Sequence, residues 1–228
     1  MSIQKNEFIE LEYMGKADGA VFDTTDKEVA KKEGIASNKA EYGPMLVCVG
    51  QGHVLKGLDD ALIGKEIDKA FTITLQPEEA FGKKSAKLVR LIPLRKFKEH
   101  DITPFPGLQV DIDNMMGTVK TASGGRVLVD FNHPLSGRVV TYEAKIVKKV
   151  EDDAEKVKGY LKLILGFDAK VDIKEGKATA ELPFEVPKEV NEEMTKKLKE
   201  LIPNIKEIAF IKKEEKQAED KTPPIIKE

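Results

Sequence analysis

Gly50-Gln51-Gly52-His53-Val54-Leu55-Lys56-Gly57-Leu58-Asp59-Asp60-Ala61-Leu62-Ile63-Gly64 is the stretch around which the rest of the chain is organised. Leu55, Leu58 and Leu62 recur at steps of three and four, so they share one face of a short helix over 56–63. Asp59 and Asp60 suit its early turn, where the helix dipole favours negative charge, and Gly64 is placed to end it. Gly50, Gly52 and Gly57 predict an approach loop with unusual backbone angles. A short helix with apolar residues facing up from a bent approach reads as the floor of a small apolar pocket. The same pattern also fits an ordinary amphipathic helix packed on a sheet.

Upstream, Phe8-Ile9-Glu10-Leu11-Glu12-Tyr13 alternates apolar and polar within a strand over 3–14. A turn follows over Gly15–Gly19, and Val21–Thr25 reads as a second strand end. Residues 26–43 are charged and aperiodic, apart from a turn of helix near Lys27–Lys32. Met45–Val49 is a strand leading straight into the helix stretch. Lys69–Leu75 alternates again, and Pro77–Gly82 is a loop. The segment 87–131 reads as a separate unit. It holds Leu88–Ile92, a Pro-rich turn at Thr103–Gly107, and a hairpin in which Thr118–Ala122 and Arg126–Phe131 flank Ser123-Gly124-Gly125. After the loop Asn132–Gly137, Val139–Val150 is a long alternating strand.

Beyond Glu151-Asp152-Asp153 the pattern turns helical, with Val157, Tyr160, Leu161 and Ile164 in a stripe closed by Gly166. Two strand-like runs, near Lys170–Ile173 and Ala178–Phe184, hinge at Glu175-Gly176-Lys177. A helix after Pro187 carries Val190, Met194, Leu198 and Leu201 on one face, Pro203 ends it, and Ile205–Ile211 reads as a last strand. That order predicts a small α+β domain over 153–212, and the charge-rich 213–228 reads as a disordered tail.

The 228 residues are 40% hydrophobic, enough for real cores, and Lys+Arg 38 against Asp+Glu 40 leaves a net charge of only -2. No basic surplus marks a nucleic-acid partner. No run approaches the roughly 20 apolar residues of a membrane span, and Met1–Glu7 has no apolar signal region. A lone cysteine, Cys48, suits a reducing cytosol. The three histidines are unclustered, so no metal site is expected. Heavy use of Lys, Glu and Ile with little Gln fits a heat-loving organism.

Five pieces carry a resemblance in their order and spacing. They are Tyr13 before a Gly-containing turn, Gly19-Ala20-Val21-Phe22-Asp23, Gly52–Leu58, Ala80-Phe81-Gly82, and Phe131–Gly137 with Tyr142 downstream. Together they resemble the FKBP family of peptidyl-prolyl cis-trans isomerases. Segment 87–131 resembles the insert-in-flap domain of SlyD-type members, and the added C-terminal region looks like that of long archaeal members. The resemblance implies an α+β fold: an isomerase domain over 1–86 and 132–152, with a twisted antiparallel sheet wrapped around the short helix. The small β-rich insert over 87–131 and the C-terminal α+β domain are added to it. By position, the family's pocket residues fall on Tyr13, Phe22, Asp23, Met45, Val54, Leu55, Leu58, Phe81, Leu135 and Tyr142. Leu58 stands where many members have Trp, and Met45 where they often have Phe. Phe81 replaces the usual Tyr, so a phenolic donor to the substrate carbonyl is missing. These departures bear on affinity for macrolide inhibitors more than on catalysis.

The implied activity is rotation about X-Pro bonds, which needs no nucleophile, metal or cofactor. The implied partners are unfolded or partly folded proline-containing polypeptides of the cytoplasm, with no nucleic acid and no membrane. Ile92, Leu94, Phe97, Phe105, Met115 and Met116 are many apolar residues for so short an insert. Some must form its core, and the rest are expected to offer an exposed patch to unfolded chains. Each site residue keeps a plainer reading: Val54, Leu55 and Leu58 as core, Phe22 and Met45 as strand packing, Tyr13 and Asp23 as a structural hydrogen bond, His133 as a loop histidine. The alternative function is a holdase or assembly module with a vestigial pocket. Homodimerisation is the role suggested for the C-terminal domain, with substrate binding as its competitor.

Overall fold

The computed structural model describes residues 2–212, so the tail read as disordered, 213–228, lies outside the described residues. The chain divides at Lys149/Val150 into two compact units.

The first unit carries two sheets. In one, β1 (Phe8–Ala17) pairs with β2 (Ala20–Thr24), β3 (Met45–Cys48) and β9 (Val140–Lys149), and β4 (Ala70–Leu75) lies beyond β9. Every pairing is antiparallel. Alternation sends Ile9, Leu11 and Ala17 of β1 and Val140, Tyr142, Ala144 and Ile146 of β9 to one buried face. The predicted helix, α2 (Lys56–Leu62), covers that face with Leu58 and Leu62. The aperiodic stretch holds α1 (Lys27–Lys32), whose Asp26 carboxylate accepts from the N–H groups of Glu28 and Val29 at 2.7 and 3.1 Å.

The other sheet belongs to the insert. It orders β5 (Val89–Pro93), β8 (Arg126–Asp130), β7 (Met115–Ser123) and β6 (Gln109–Ile112) as β5-β8-β7-β6. Its core is its own: Ile92, Phe97, Val110, Val119, Val127, Val129 and Phe131, with Phe97 supplied by α3 (Leu94–Lys98). Sequence reading missed β6, whose four residues offer too short an alternation to stand out. The hairpin loop is also one residue shorter than expected. Ser123 pairs with Arg126, and Gly124 and Gly125 take φ of 56° and 75°, as a two-residue primed turn requires.

The insert's core also corrects part of the expected chain-binding set. Ile92 and Phe97 are buried, and Leu94 and Met115 pack against them. Phe105 and Met116 remain, 56% and 61% exposed, joined by Leu91 at 61%.

The second unit runs α4 (Asp153–Leu165), β10 (Lys170–Lys174), β11 (Lys177–Leu182), α5 (Lys188–Leu201), β12 (Glu207–Lys212). β11 is central, antiparallel to β10 and parallel to β12, so α5 is the crossover a parallel pair needs. Gly166 closes α4 in the left-handed region, φ 73°. Val157, Tyr160, Leu161, Met194, Leu198 and Leu201 are buried as the helical stripes predict, but Ile164 and Val190 are exposed. Each sits in a terminal turn of its helix, at the end of the stripe. Among the described residues no helix is long and apolar enough to cross a membrane.

Candidate active site

The approach to α2 is held by side chains rather than by glycine freedom alone. Gly50 and Gly52 do sit at positive φ, 79° and 73°. Asp59, expected to serve the helix dipole, is instead buried, and its two carboxylate oxygens accept the N–H groups of Gly50 and Gly52, each at 2.8 Å. His53 Nδ1 accepts the Cys48 N–H at 3.0 Å. These bonds bend the chain so that Val54 and Leu55 arrive at the head of the helix, both packed on the core cluster.

Gly57 departs from expectation. It lies inside α2, and a Cβ there would fall 2.5 Å from Leu75 Cδ2 and 2.9 Å from Glu79 Cβ. Its bare backbone lets the helix approach the 77–79 turn, just before Phe81. Gly15 plays the same part on the sheet: a Cβ would meet Phe22 Cζ at 2.8 Å and Tyr142 Cε1 at 3.0 Å. Sequence reading placed Gly15 in a turn. In the structure it is a strand residue paired with both Asp23 and Tyr142. A glycine interrupting an alternating run was the available signal.

Over that gap four aromatic rings meet edge to face. Tyr13 and Tyr142 lie 5.7 Å apart, Phe22 and Tyr142 5.9 Å, and Phe22 and Phe81 5.6 Å, at interplanar angles of 62°, 89° and 78°. The Tyr13 hydroxyl donates to Asp23 Oδ2 at 3.0 Å. Burial first, and the Asp23 carboxylate second, push both phenols well above the ordinary tyrosine value of 10, so both stay protonated. Leu58, 1% exposed, is the floor, and Tyr142, 3% exposed, is a back wall. Tyr13, Phe22, Met45, Val54, Leu55, Phe81 and Leu135 are half-buried around them, and Asp23 is exposed at the lip.

All ten expected pocket residues therefore gather on or beside one apolar cluster. His133, left undecided by the sequence, stacks flat on Phe81 at 4.6 Å and 1°, with its Nδ1 accepting the Leu135 N–H at 3.2 Å. A second groove of about 590 Å³ lies against outward residues of the same strands, among them Glu12, Met14, Glu143 and Lys145, and touches Tyr13. Of the four rings only Tyr13 lines it; Phe22, Phe81 and Tyr142 do not. That wall of rings, with one exposed carboxylate and two neutral phenols, can hold an apolar ring and bias the charge distribution of a bound amide. It offers no activated nucleophile.

Two family models match the chain: FKBP-type peptidyl-prolyl cis-trans isomerase over residues 1–96, and FKBP26, IF domain, over residues 90–135. A short-type peptidyl-prolyl cis-trans isomerase of Methanocaldococcus jannaschii is 31% identical over 144 residues, covering 63% of this chain and 92% of the relative. An FKBP-type 16 kDa peptidyl-prolyl cis-trans isomerase of Escherichia coli is 26% identical over 151 residues, covering 64% and 93%. An FKBP-type peptidyl-prolyl cis-trans isomerase SlyD of Haemophilus influenzae is 27% identical over 171 residues, covering 69% and 77%.

Proposed function

The chain belongs to the FKBP-type peptidyl-prolyl cis-trans isomerases, and on that premise we propose that the ring-lined cleft over Leu58 is its catalytic pocket and that the insert brings unfolded chains to it. The observation that carries the first part is the meeting of Tyr13, Phe22, Phe81 and Tyr142 around a half-open apolar site with Asp23 at its lip.

Resonance puts a barrier of roughly 18–20 kcal/mol on rotation about the bond before proline. The two end states differ by only about 0.5–1 kcal/mol. The catalyst must prefer the twisted amide to both planar forms, and every ~1.4 kcal/mol of that preference is a tenfold rate. Twisting removes the charge separation of the planar amide, so walls of Phe22, Val54, Leu55, Leu58, Phe81, Leu135 and Tyr142, with Met45 beside them, favour it. The Leu55 N–H anchors a substrate carbonyl. Asp23, oriented by Tyr13, sets a carboxylate beside the rotating carbonyl carbon. In a proline-containing tetrapeptide assay the wild type accelerates exchange, and Asp23→Ala and Tyr142→Ala lower kcat/KM at least fivefold. No acceleration over buffer would leave the holdase reading instead.

We assign residues 1–86 and 132–152 to the isomerase domain, 87–131 to the insert and 153–212 to the C-terminal domain. The exposed Leu91, Phe105 and Met116 are the insert's contact with unfolded proline-containing chains. The insert thus raises the local concentration of substrate near the pocket. The C-terminal domain pairs two copies of the chain through its sheet edge or face. Light scattering of a chain ending near Asp152 tests this, and an unchanged oligomeric state excludes it. The lone cysteine and the Lys- and Glu-rich composition suit the cytoplasm of a heat-loving archaeon.

A further inference from the structure

The chain enters the insert after Phe81 and leaves it before Leu135, so two arms join the pocket rim to the second sheet. Along them runs a series of cross-links. The Ser136 hydroxyl donates to the Phe81 carbonyl at 2.9 Å, and the Gly137 N–H to the Gly82 carbonyl at 2.8 Å. Farther out, the Phe131 N–H donates to the Leu88 carbonyl at 2.9 Å, and there the β5–β8 ladder begins with Val89 opposite Asp130. Between these two ends a side chain makes the link. Asn132 Oδ1 accepts the Ser85 N–H at 2.8 Å, and its Nδ2 donates to the Ser85 carbonyl at 3.1 Å. One amide thus supplies both halves of a strand-like pairing.

The orientation of that amide is fixed by its neighbours. Asp130 Oδ1 accepts from both the backbone N–H and the Nδ2 of Asn132, at 2.9 and 2.7 Å. A carboxylate only accepts and a backbone N–H only donates, so Nδ2 must face Asp130 and Oδ1 must face Ser85.

We propose that Asn132 is a positioning residue: its side chain clasps the two arms into one stiff lever that holds the insert at a set distance from the pocket. This rests on the reading of the insert as the substrate collector. Delivery by effective concentration is greatest when the span is matched to the sites, and it falls as the connection loosens.

The test attaches nitroxide labels to Lys27→Cys and Lys98→Cys, both exposed, in the full chain. It records the distance distribution by pulsed electron resonance. Asn132→Ala is expected at least to double the width. Asn132→Asp keeps the acceptor for Ser85 but sets two carboxylates together, and it widens likewise. An unchanged width in Asn132→Ala, or in Asn132→Asp, which loses the donor to the Ser85 carbonyl, overturns the clasp. In activity, Asn132→Ala lowers kcat/KM on an unfolded protein substrate at least fivefold, while tetrapeptide kcat/KM stays within twofold. Equal losses on both substrates would place Asn132 in the pocket loop alone and overturn the proposal. The width does not depend on catalysis, so an inactive wild type would sink the isomerase reading while the width still decides the clasp.

Discussion

The two sheets of the first unit are written in the same alternating grammar and finish their surfaces differently. The first buries Leu58 completely under its apolar face and packs Phe22 and Tyr142, two of four touching rings, over a glycine. The second spends Ile92, Phe97 and its valines on a small core and leaves Leu91, Phe105 and Met116 in water. A pocket that must favour one twisted amide geometry needs walls that cannot move. The surface we propose for unfolded chains, which has to accept many sequences, needs apolar area that can. Rigid packing and adaptable exposure are thus divided between two sheets of one chain.

Truncating one side chain on each sheet gives the sharpest contrast. Leu58→Ala removes the buried floor, and is expected to cost about 2–5 kcal/mol through lost transfer energy and the cavity left behind. Met116→Ala, at an exposed site, should stay within about 0.5 kcal/mol. Denaturant midpoints at unchanged m-value measure both. Similar losses would mean that the second sheet depends on its outer apolar face as the first depends on its floor.

Adding a methyl group tests the same rigidity from the other direction. In Gly15→Ala the new Cβ would lie 2.8 Å from Phe22 Cζ and 3.0 Å from Tyr142 Cε1, neither of them a flexible chain end. Overpacking of this kind costs about 1–3 kcal/mol. Displaced rings should lower tetrapeptide kcat/KM roughly tenfold, the equivalent of ~1.4 kcal/mol in the barrier. Full activity would show that the rings are not held as tightly as their edge contacts indicate.

On the insert the expected effect reverses its readout. Phe105→Ser with Met116→Ser should leave stability within about 0.5 kcal/mol and tetrapeptide turnover unchanged. Catalysed refolding of a proline-limited protein should fall severalfold. Refolding at wild-type rate would move the chain-binding surface elsewhere, with Leu91 as the next residue to change.

What could be read in advance follows the same division. Periodicity is a long-range average, so α2, β1, β4, β9 and the two C-terminal helices were legible from repeated apolar spacing. Nine of the ten expected pocket residues lie in five short pieces in family order, Met45 being the one outside them, and the structure gathers all ten on or beside one apolar cluster. Roles set by a single close contact were not legible. Asp59 in a first turn looks like any dipole partner until Gly50 and Gly52 fold back onto its carboxylate. Gly57 looks like loop freedom until Leu75 and Glu79 lie against it. Ile92 and Met116 look equally apolar in sequence, and only the strand's inward or outward phase separates core from surface.

The smallest expected effect concerns the arm between the two sheets. Burial by itself would raise the Asp130 carboxyl, but hydrogen bonds from the Asn132 side chain and backbone outweigh it, with the Lys120 and Lys84 charges adding to them. The group sits below its ordinary 3.8. A depressed carboxyl contributes stability that is fully present above its unfolded value and is lost as pH falls through the folded one. Glu7 and Asp153 are depressed as well, so the acid limb of the wild type alone cannot isolate Asp130. Comparison with Asp130→Asn cancels the shared groups. The wild type should melt higher near pH 6 by about 2 °C or less, and the gap should narrow progressively as pH falls below 3.8. A gap that persists in acid would mean that Asp130 orients Asn132 through shape alone, and that the arm does not depend on its charge.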